Sequence, residues 1–380
     1  MVKVSQRGDI RLGYRCNARC GFCYYQDKLD TPVELEPTTE QLENRLRVLR
    51  AHGATEIEFT GGEPTIRPDL PRLVELARTL GFINVSIITN GLRLAKPAYA
   101  EQVVAAGAND FLFSIHGHDA ELHDTHTKIP GSFARILQAV ANVRALGARV
   151  RATTTVTGRN HDRLGEILEL LLGLNVACIH LAVFSPVARA MSTDESLFVR
   201  YSDAGESIKR AIDRHRERLP PLSVKYIPFC FMRGYESYVM NLYQQSFDPD
   251  DWNYYLSNKV RRSDSWIARV GVDVASAIGG LFTKNYALSL RYGWSGWKVF
   301  GLTRIVELLR KHRAAACRSC KYDIVCDHVW KDYVARFGDG EIRAVPGEKI
   351  VDPAWCYGLA RYRTPGMPVA VPPTSRGARP

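Results

Sequence analysis

The chain has 380 residues, 46% hydrophobic and 24% charged, with a net charge of +11. That length suits one large domain or a large domain with a smaller appendage, and the composition excludes collagen-like, disordered and disulfide-scaffold chains. The first residues, Met1-Val2-Lys3-Val4-Ser5-Gln6-Arg7, show no secretory signal, and the nearest approach to a membrane span, 270–282, is too short and contains Asp273. A soluble, cytoplasmic protein is expected.

In chain order the first half reads as alternating strands and amphipathic helices. Strands are predicted at 9–14, 56–60, 85–89, 110–115, 150–156 and 177–184. Between them lie helices at 39–52, with Leu42, Leu46 and Leu49 on one face, at 69–80, through Val103-Val104, at 132–146 and ending near Leu172. Six strands with a helix in each interval predict a parallel α/β fold, whose chemistry gathers at the C-terminal strand ends. Beyond Met191 the pattern fades. A charged helix at 201–218 runs into Pro220-Pro221, which reads as a linker, and the last segment, 364–380, is rich in Pro, Gly and Arg and is expected to be disordered.

Charge is uneven along the chain. Residues 1–250 carry 30 basic and 29 acidic side chains, whereas residues 251–380 carry 21 and 11. Two readings stand for that basic third: a surface for an anionic partner, nucleic acid among them, or a solvated face.

Nine cysteines, an odd number without a secretion signal, argue against a disulfide framework. Cys16, Cys20 and Cys23 share one short loop after the first strand. Three converging thiolates can hold three irons of a cubane cluster and leave the fourth iron open to a ligand. Downstream, Cys317, Cys320 and Cys326 form a second metal-like group, with Cys230 or Cys356 as a fourth ligand and a structural zinc as the alternative. Cys178, among apolar residues of the sixth strand, is expected in the core. The dense set His116, His118, His123 and His126, in an expected loop over 115–129, suits a metal, a substrate pocket or solvent.

Over about residues 8–190 the sequence resembles the radical S-adenosylmethionine (radical SAM) enzymes, which carry this three-cysteine spacing after the first barrel strand. The resemblance implies a partial (β/α)6 TIM-like barrel over 1–220, a [4Fe-4S] cluster on Cys16, Cys20 and Cys23, and S-adenosylmethionine as cofactor. Phe22 holds the place that lies near the adenine. Gly61-Gly62-Glu63-Pro64 matches the loop for the methionine amino group, glycines admitting a close backbone and a carboxylate suiting an ammonium. Asn90, Ser114, His116, Thr154 and Arg189 fall at strand ends where the family makes ribose and carboxylate contacts. The second cysteine group resembles the twitch relative of the SPASM domain, here an α+β unit over 221–363. Trp330 stands where the full SPASM pattern has a further cysteine, so one auxiliary [4Fe-4S] cluster is expected, on Cys230, Cys317, Cys320 and Cys326, with Cys356 as the alternative fourth ligand. The aromatic, basic interval 231–316 is expected to cap the barrel mouth.

The function implied is an oxidoreductase, epimerase or carbon–carbon bond-forming enzyme. It would generate a 5′-deoxyadenosyl radical, take hydrogen from a small-molecule substrate in specialised biosynthesis, and draw electrons from a flavodoxin or ferredoxin. Peptide maturation and RNA modification are the alternatives.

Overall fold

The computed structural model describes residues 4–184, 194–248, 250–261, 266–282 and 292–355. Arg189, Cys356 and the segment 364–380 lie outside them. Seven parallel strands run in sequence order through one curled sheet: β1 (Arg7–Arg11), β2 (Glu56–Thr60), β3 (Asn84–Thr89), β4 (Asp110–Ser114), β5 (Arg149–Val156), β6 (Ile179–Val183) and β7 (Leu222–Lys225). Together they make a partial TIM-like barrel. The seventh strand was not foreseen. It is four residues long and directly follows Pro220-Pro221, which read as a linker, yet it pairs Ile179 with Leu222 through Ala182 with Lys225.

Strand alternation sorts the residues. Ile57, Phe59, Val85, Ile87, Phe111, Phe113, Ile179 and Leu181 face outward and are fully buried under the helices. These are α1 (Thr39–Ala51), α2 (Leu70–Thr79), α3 (Pro97–Ala105), α5 (Ser132–Ala145), α6 (Leu164–Gly173) and α7 (Tyr201–His215). Helix α1 begins at a Thr38/Gln41 capping box and buries Leu42, Leu46 and Leu49. The remaining helix of this half, α4 (Ala120–Thr127), occupies the histidine-rich stretch expected to be a loop, because Asp119 caps it by accepting from Leu122 N at 2.9 Å.

The alternate strand residues face the concave side, and their contacts reach across it. Arg151 of β5 donates to Glu58 of β2 and Asp110 of β4, each at 2.9 Å, and to Ser86 of β3 at 2.7 Å. Arg7 of β1 pairs with Glu56, Glu58 and Asp110. The segment after β7 closes this N-terminal end. Asp250 accepts both guanidinium nitrogens of Arg149 and gives its carbonyl to Arg151, Asp251 pairs with Lys225 at 2.5 Å, and Asn253 N donates to Arg7 O at 2.7 Å. Part of the expected mouth cap is therefore a plug at the opposite end, drawn there by the arginines and by the open backbone edge of β1.

Helix α8 (Leu242–Gln245) precedes the plug. Among the described residues three helices follow it: α9 (Tyr254–Arg261), against β1 and α1, then α10 (Trp266–Leu281) and α11 (Gly293–Arg310), packed on each other and on α9. The C-terminal cysteine stretch lies inside a two-residue antiparallel ladder, β8 (Lys311–His312) with β9 (Val329–Trp330), followed by α12 (Lys331–Phe337). Tyr333 of α12 stacks on Tyr201 of α7 at 3.9 Å and accepts its backbone N–H at 2.8 Å, joining this part to the barrel.

Candidate active site

The loop that carries Cys16, Cys20 and Cys23 leaves the C-terminal end of β1 and is braced from three sides. Glu36, buried, accepts Tyr14 N and Arg15 N at 2.8 Å each through one oxygen. The Gly61-Gly62 turn at the end of β2 lies against the same stem, with Gly62 N donating to Gly13 O at 3.0 Å and Glu63 N to Arg15 O at 2.9 Å. A Cβ on Gly62 would stand 2.1 Å from Arg15 O, and Gly61 sits at φ +136°, so both positions exclude a side chain. The close approach that these glycines permit is to the chain's own cluster loop. From the third side, Arg19 N and Gly21 N donate to the carbonyls of Thr127 and His126 in α4.

The thiols are partly buried. Burial, then Glu63, pushes the Cys16 thiol up to about 12, and burial, then the neighbouring Cys23 and Cys16, raises Cys20 as well. Cys23 is raised by burial and eased by the Tyr25 N–H that its sulfur accepts at 3.4 Å. Such thiols remain protonated until a cation replaces the proton, as an iron centre does. Among the described residues no set of three or more His, Cys, Asp or Glu converges on a single ion position. A cubane asks for something else, one thiolate per iron, and three mutually interacting thiols on a braced loop fit that group.

The other predicted residues divide. Asn90, at the end of β3, donates to Cys16 Sγ at 3.7 Å and to Asn17 Oδ1 at 2.8 Å, against the cluster loop. Glu63 is buried. Its Oε1 accepts Thr65 N, Thr65 Oγ1 and Thr89 Oγ1, and its Oε2 accepts Asn90 N at 2.7 Å, so it ties the Gly-Gly turn to β3, with burial raising its carboxyl. Pro64 is buried at the start of the following turn. Ser114 is half-buried on the concave side of β4. Thr154 faces the other way: it is fully buried and donates to Ile115 O at 2.6 Å, leaving Thr153 and Thr155 on the concave side. The alternation of β5 decides this, and a sequence threonine triplet gives no phase by itself.

Phe22 meets the edge of His116, ring centroids 4.6 Å apart, with His126 at 6.1 Å. His116 Nδ1 accepts Thr155 N–H and His123 Nδ1 accepts His116 N–H, while His126 Nδ1 donates to Leu122 O and its Nε2 meets Thr157 Oγ1. All three are held toward the neutral form by burial first, His116 strongly, His123 to about 4 and His126 downward. They form a neutral, packed wall behind Phe22, with Nδ1 of His116 and His123 and both ring nitrogens of His126 engaged by the chain itself. Glu36, Thr153 and Thr155 escaped the sequence reading; Glu36 lies in an irregular stretch with no periodicity to mark it.

In the C-terminal part, Cys230 follows β7 on a short turn and lies within electrostatic reach of Cys320 and Cys317, with burial pushing its thiol up to about 12. Cys317 is raised by burial too. Cys320 Sγ accepts Val345 N at 3.4 Å and Cys326 Sγ accepts His328 N at 3.3 Å. Phe229 and Tyr322 stack at 4.7 Å beside them. Cys178 is buried in the sixth strand's neighbourhood, as expected.

Residues 10–171 match the Radical SAM superfamily. The chain is similar to the AdoMet-dependent heme synthase of Methanosarcina barkeri, 29% identical over 47% of this chain and 51% of that protein. It is also similar to the probable GTP 3',8-cyclase of Saccharolobus solfataricus, 32% identical over 47% of this chain and 56% of that protein. It thus spans about half the length of these curated relatives. Among solved structures, Streptococcus suis SuiB bound to S-adenosylmethionine covers 57% of this chain and 49% of its own at 19% identity and a TM-score of 0.47. The superfamily uses a [4Fe-4S] cluster and S-adenosylmethionine. Residues 10–171, with Cys16, Cys20 and Cys23 on a braced loop at the barrel mouth, are thus a Radical SAM domain.

Proposed function

We propose that the protein is an enzyme that abstracts hydrogen from a small molecule held in the half-barrel, and that its C-terminal cysteines hold one auxiliary [4Fe-4S] cluster. The observation that carries this reading is the three-thiol loop at the C-terminal mouth, its stem fixed by Glu36 and by the Gly61-Gly62 turn. When bound, a three-thiolate [4Fe-4S] cluster with S-adenosylmethionine at its open iron supplies a 5′-deoxyadenosyl radical.

The chain's part is to position and to exclude water. Cys16, Cys20 and Cys23 hold the cluster, and the Asn90 amide steadies Cys16 Sγ. Gly61, Gly62, Glu63 and Pro64 would hold the amino group of the cofactor, and Phe22, backed by neutral His116, would wall its adenine. Ser114, Thr153 and Thr155 offer hydroxyls to a polar substrate from the concave face. Cys230, Cys317, Cys320 and Cys326 provide a place for a second redox group, which favours net oxidation of the substrate over epimerisation. A flavodoxin or ferredoxin supplies the electron. Two curated relatives named for small molecules, heme and GTP, are in keeping with a small-molecule substrate.

The test is iron and acid-labile sulfide on anaerobically reconstituted protein, beside a variant with Cys16, Cys20 and Cys23 all changed to Ala. About eight irons in the parent and about four in the variant are expected, one cubane lost. The parent should form 5′-deoxyadenosine under reduction and the variant none. About four irons in the parent and none in the variant would remove the auxiliary cluster and the oxidation argument with it.

A further inference from the structure

Helix α10 has two unlike faces. Inward, Val272 and Ser276 are buried, and a Cβ on Gly279 would stand 2.0 Å from Gly301 O of α11, so the two helices touch backbone to backbone. Outward, Ile267, Val270, Val274, Ile278, Leu281 and the adjoining Phe282 are 66, 47, 51, 49, 56 and 62% exposed. At 3.6 residues per turn these six fall within an arc of about 120° that contains no charged residue. Asp273 lies off that arc, held by Lys259 and Tyr255 of α9. Single exposed apolar residues are ordinary, but a continuous stripe of this length marks a surface that another phase or molecule covers.

Charge selects the occupant. Residues 259–313, which contain α10 and α11, carry eleven Lys and Arg against three Asp and Glu; with Asp327 and Asp323, which pair with Lys311 and Arg313, the balance is +6 within the chain's +11. Pairing this face with a second copy would set two such charges against each other. An anionic bilayer instead accepts both features, the stripe at the acyl boundary and the basic residues among the phosphates. At about 24 Å, the 16-residue helix is too short to cross the hydrocarbon, and among the described residues no helix is long and apolar enough to do so. We propose that α10 seats the protein on an anionic phospholipid surface, its axis in the plane of the membrane.

The experiment is flotation of the full-length, anaerobically reconstituted protein with vesicles of phosphatidylcholine alone and of phosphatidylcholine mixed with phosphatidylglycerol. Partition about tenfold higher on the mixed vesicles, falling as salt is added, is expected. The paired change Val274→Glu and Ile278→Glu should bring partition down to the phosphatidylcholine level with iron content and solution mass unchanged. Ile267→Ser with Phe282→Ser, a milder pair at the two ends of the arc, should lower it part of the way. Equal partition on both vesicle types, or partition retained by the glutamate pair, would overturn the proposal. So would a dimer in light scattering that the glutamate pair dissociates, since the stripe would then belong to a second copy.

Discussion

At the N-terminal end of the strands, Arg7, Arg149 and Arg151 meet Glu56, Glu58, Asp110 and Asp250, and Asp250 arrives from outside the sheet to complete the set. At the C-terminal end the concave face carries the hydroxyls of Ser114, Thr153 and Thr155, beneath a loop of three thiols. Both ends are polar, but only the first supplies its own counterions. Burial disfavours the charge on Arg151, and Asp110 and Glu58 outweigh it, keeping the guanidinium ionised; the same arginines outweigh burial to hold Asp110 low. A buried charge that finds its partner within the chain is structure. Polar groups without such closure, gathered at a strand end, are where a ligand is received.

Breaking the closed end should have the largest effect. Arg151→Ala removes the nearer of the two guanidinium groups that buried Glu58 and Asp110 share, leaving Arg7 at 3.7 and 3.4 Å, and should cost about 3–5 kcal/mol, read as the shift in urea midpoint at constant slope. A loss under about 1 kcal/mol would mean that water enters this end and that the two ends are alike.

Acid should act on the wall behind the mouth. His123 falls to about 4 on folding from an ordinary value near 6.5, so its contribution is present above the ordinary value and is lost as pH drops toward 4. Between pH 7 and pH 5 it alone should remove about 2 kcal/mol, with His116 and His126 shifting in the same direction. Replacing His123 by Phe should flatten that slope in urea titrations at the two pH values; an unchanged slope would place the loss elsewhere.

Gly62→Ala sets a methyl against Arg15 O and should cost about 1–3 kcal/mol, with iron content of the first cluster falling alongside stability. Retained iron would show that the turn and the cluster loop move independently. The smallest contrast is within β5. Thr154→Val removes the bond to Ile115 O and should cost about 1 kcal/mol of stability with little change in KM. Thr155→Val should leave stability near the parent and raise KM once a substrate is in hand.

The sequence showed the six longer strands within a few residues and the helices between them, because each carries its own periodicity. It also marked Cys16, Cys20, Cys23 and the Gly-Gly turn, whose residue types are rare enough to stand out at fixed spacing. What it hid depends on tertiary pairing. β7 is too short to show alternation, the plug is recognisable only once Arg149 and Arg151 are seen facing it, and the phase that turns Thr154 away and Thr155 inward is set by register with β4. Glu36 holds two backbone amides from an irregular stretch that no local pattern singles out.

The position of β7 bears on how this protein can be taken apart. Cys230 stands only five residues beyond Lys225, the last residue of a strand that completes the sheet. A fragment ending at residue 220 would lose that strand, bare the backbone edge of β6 and remove Asp250, which pairs with Arg149 and gives its carbonyl to Arg151. Such a fragment should aggregate, whatever the state of its first cysteine loop. The two cysteine groups are thus better separated by point substitution than by dissection.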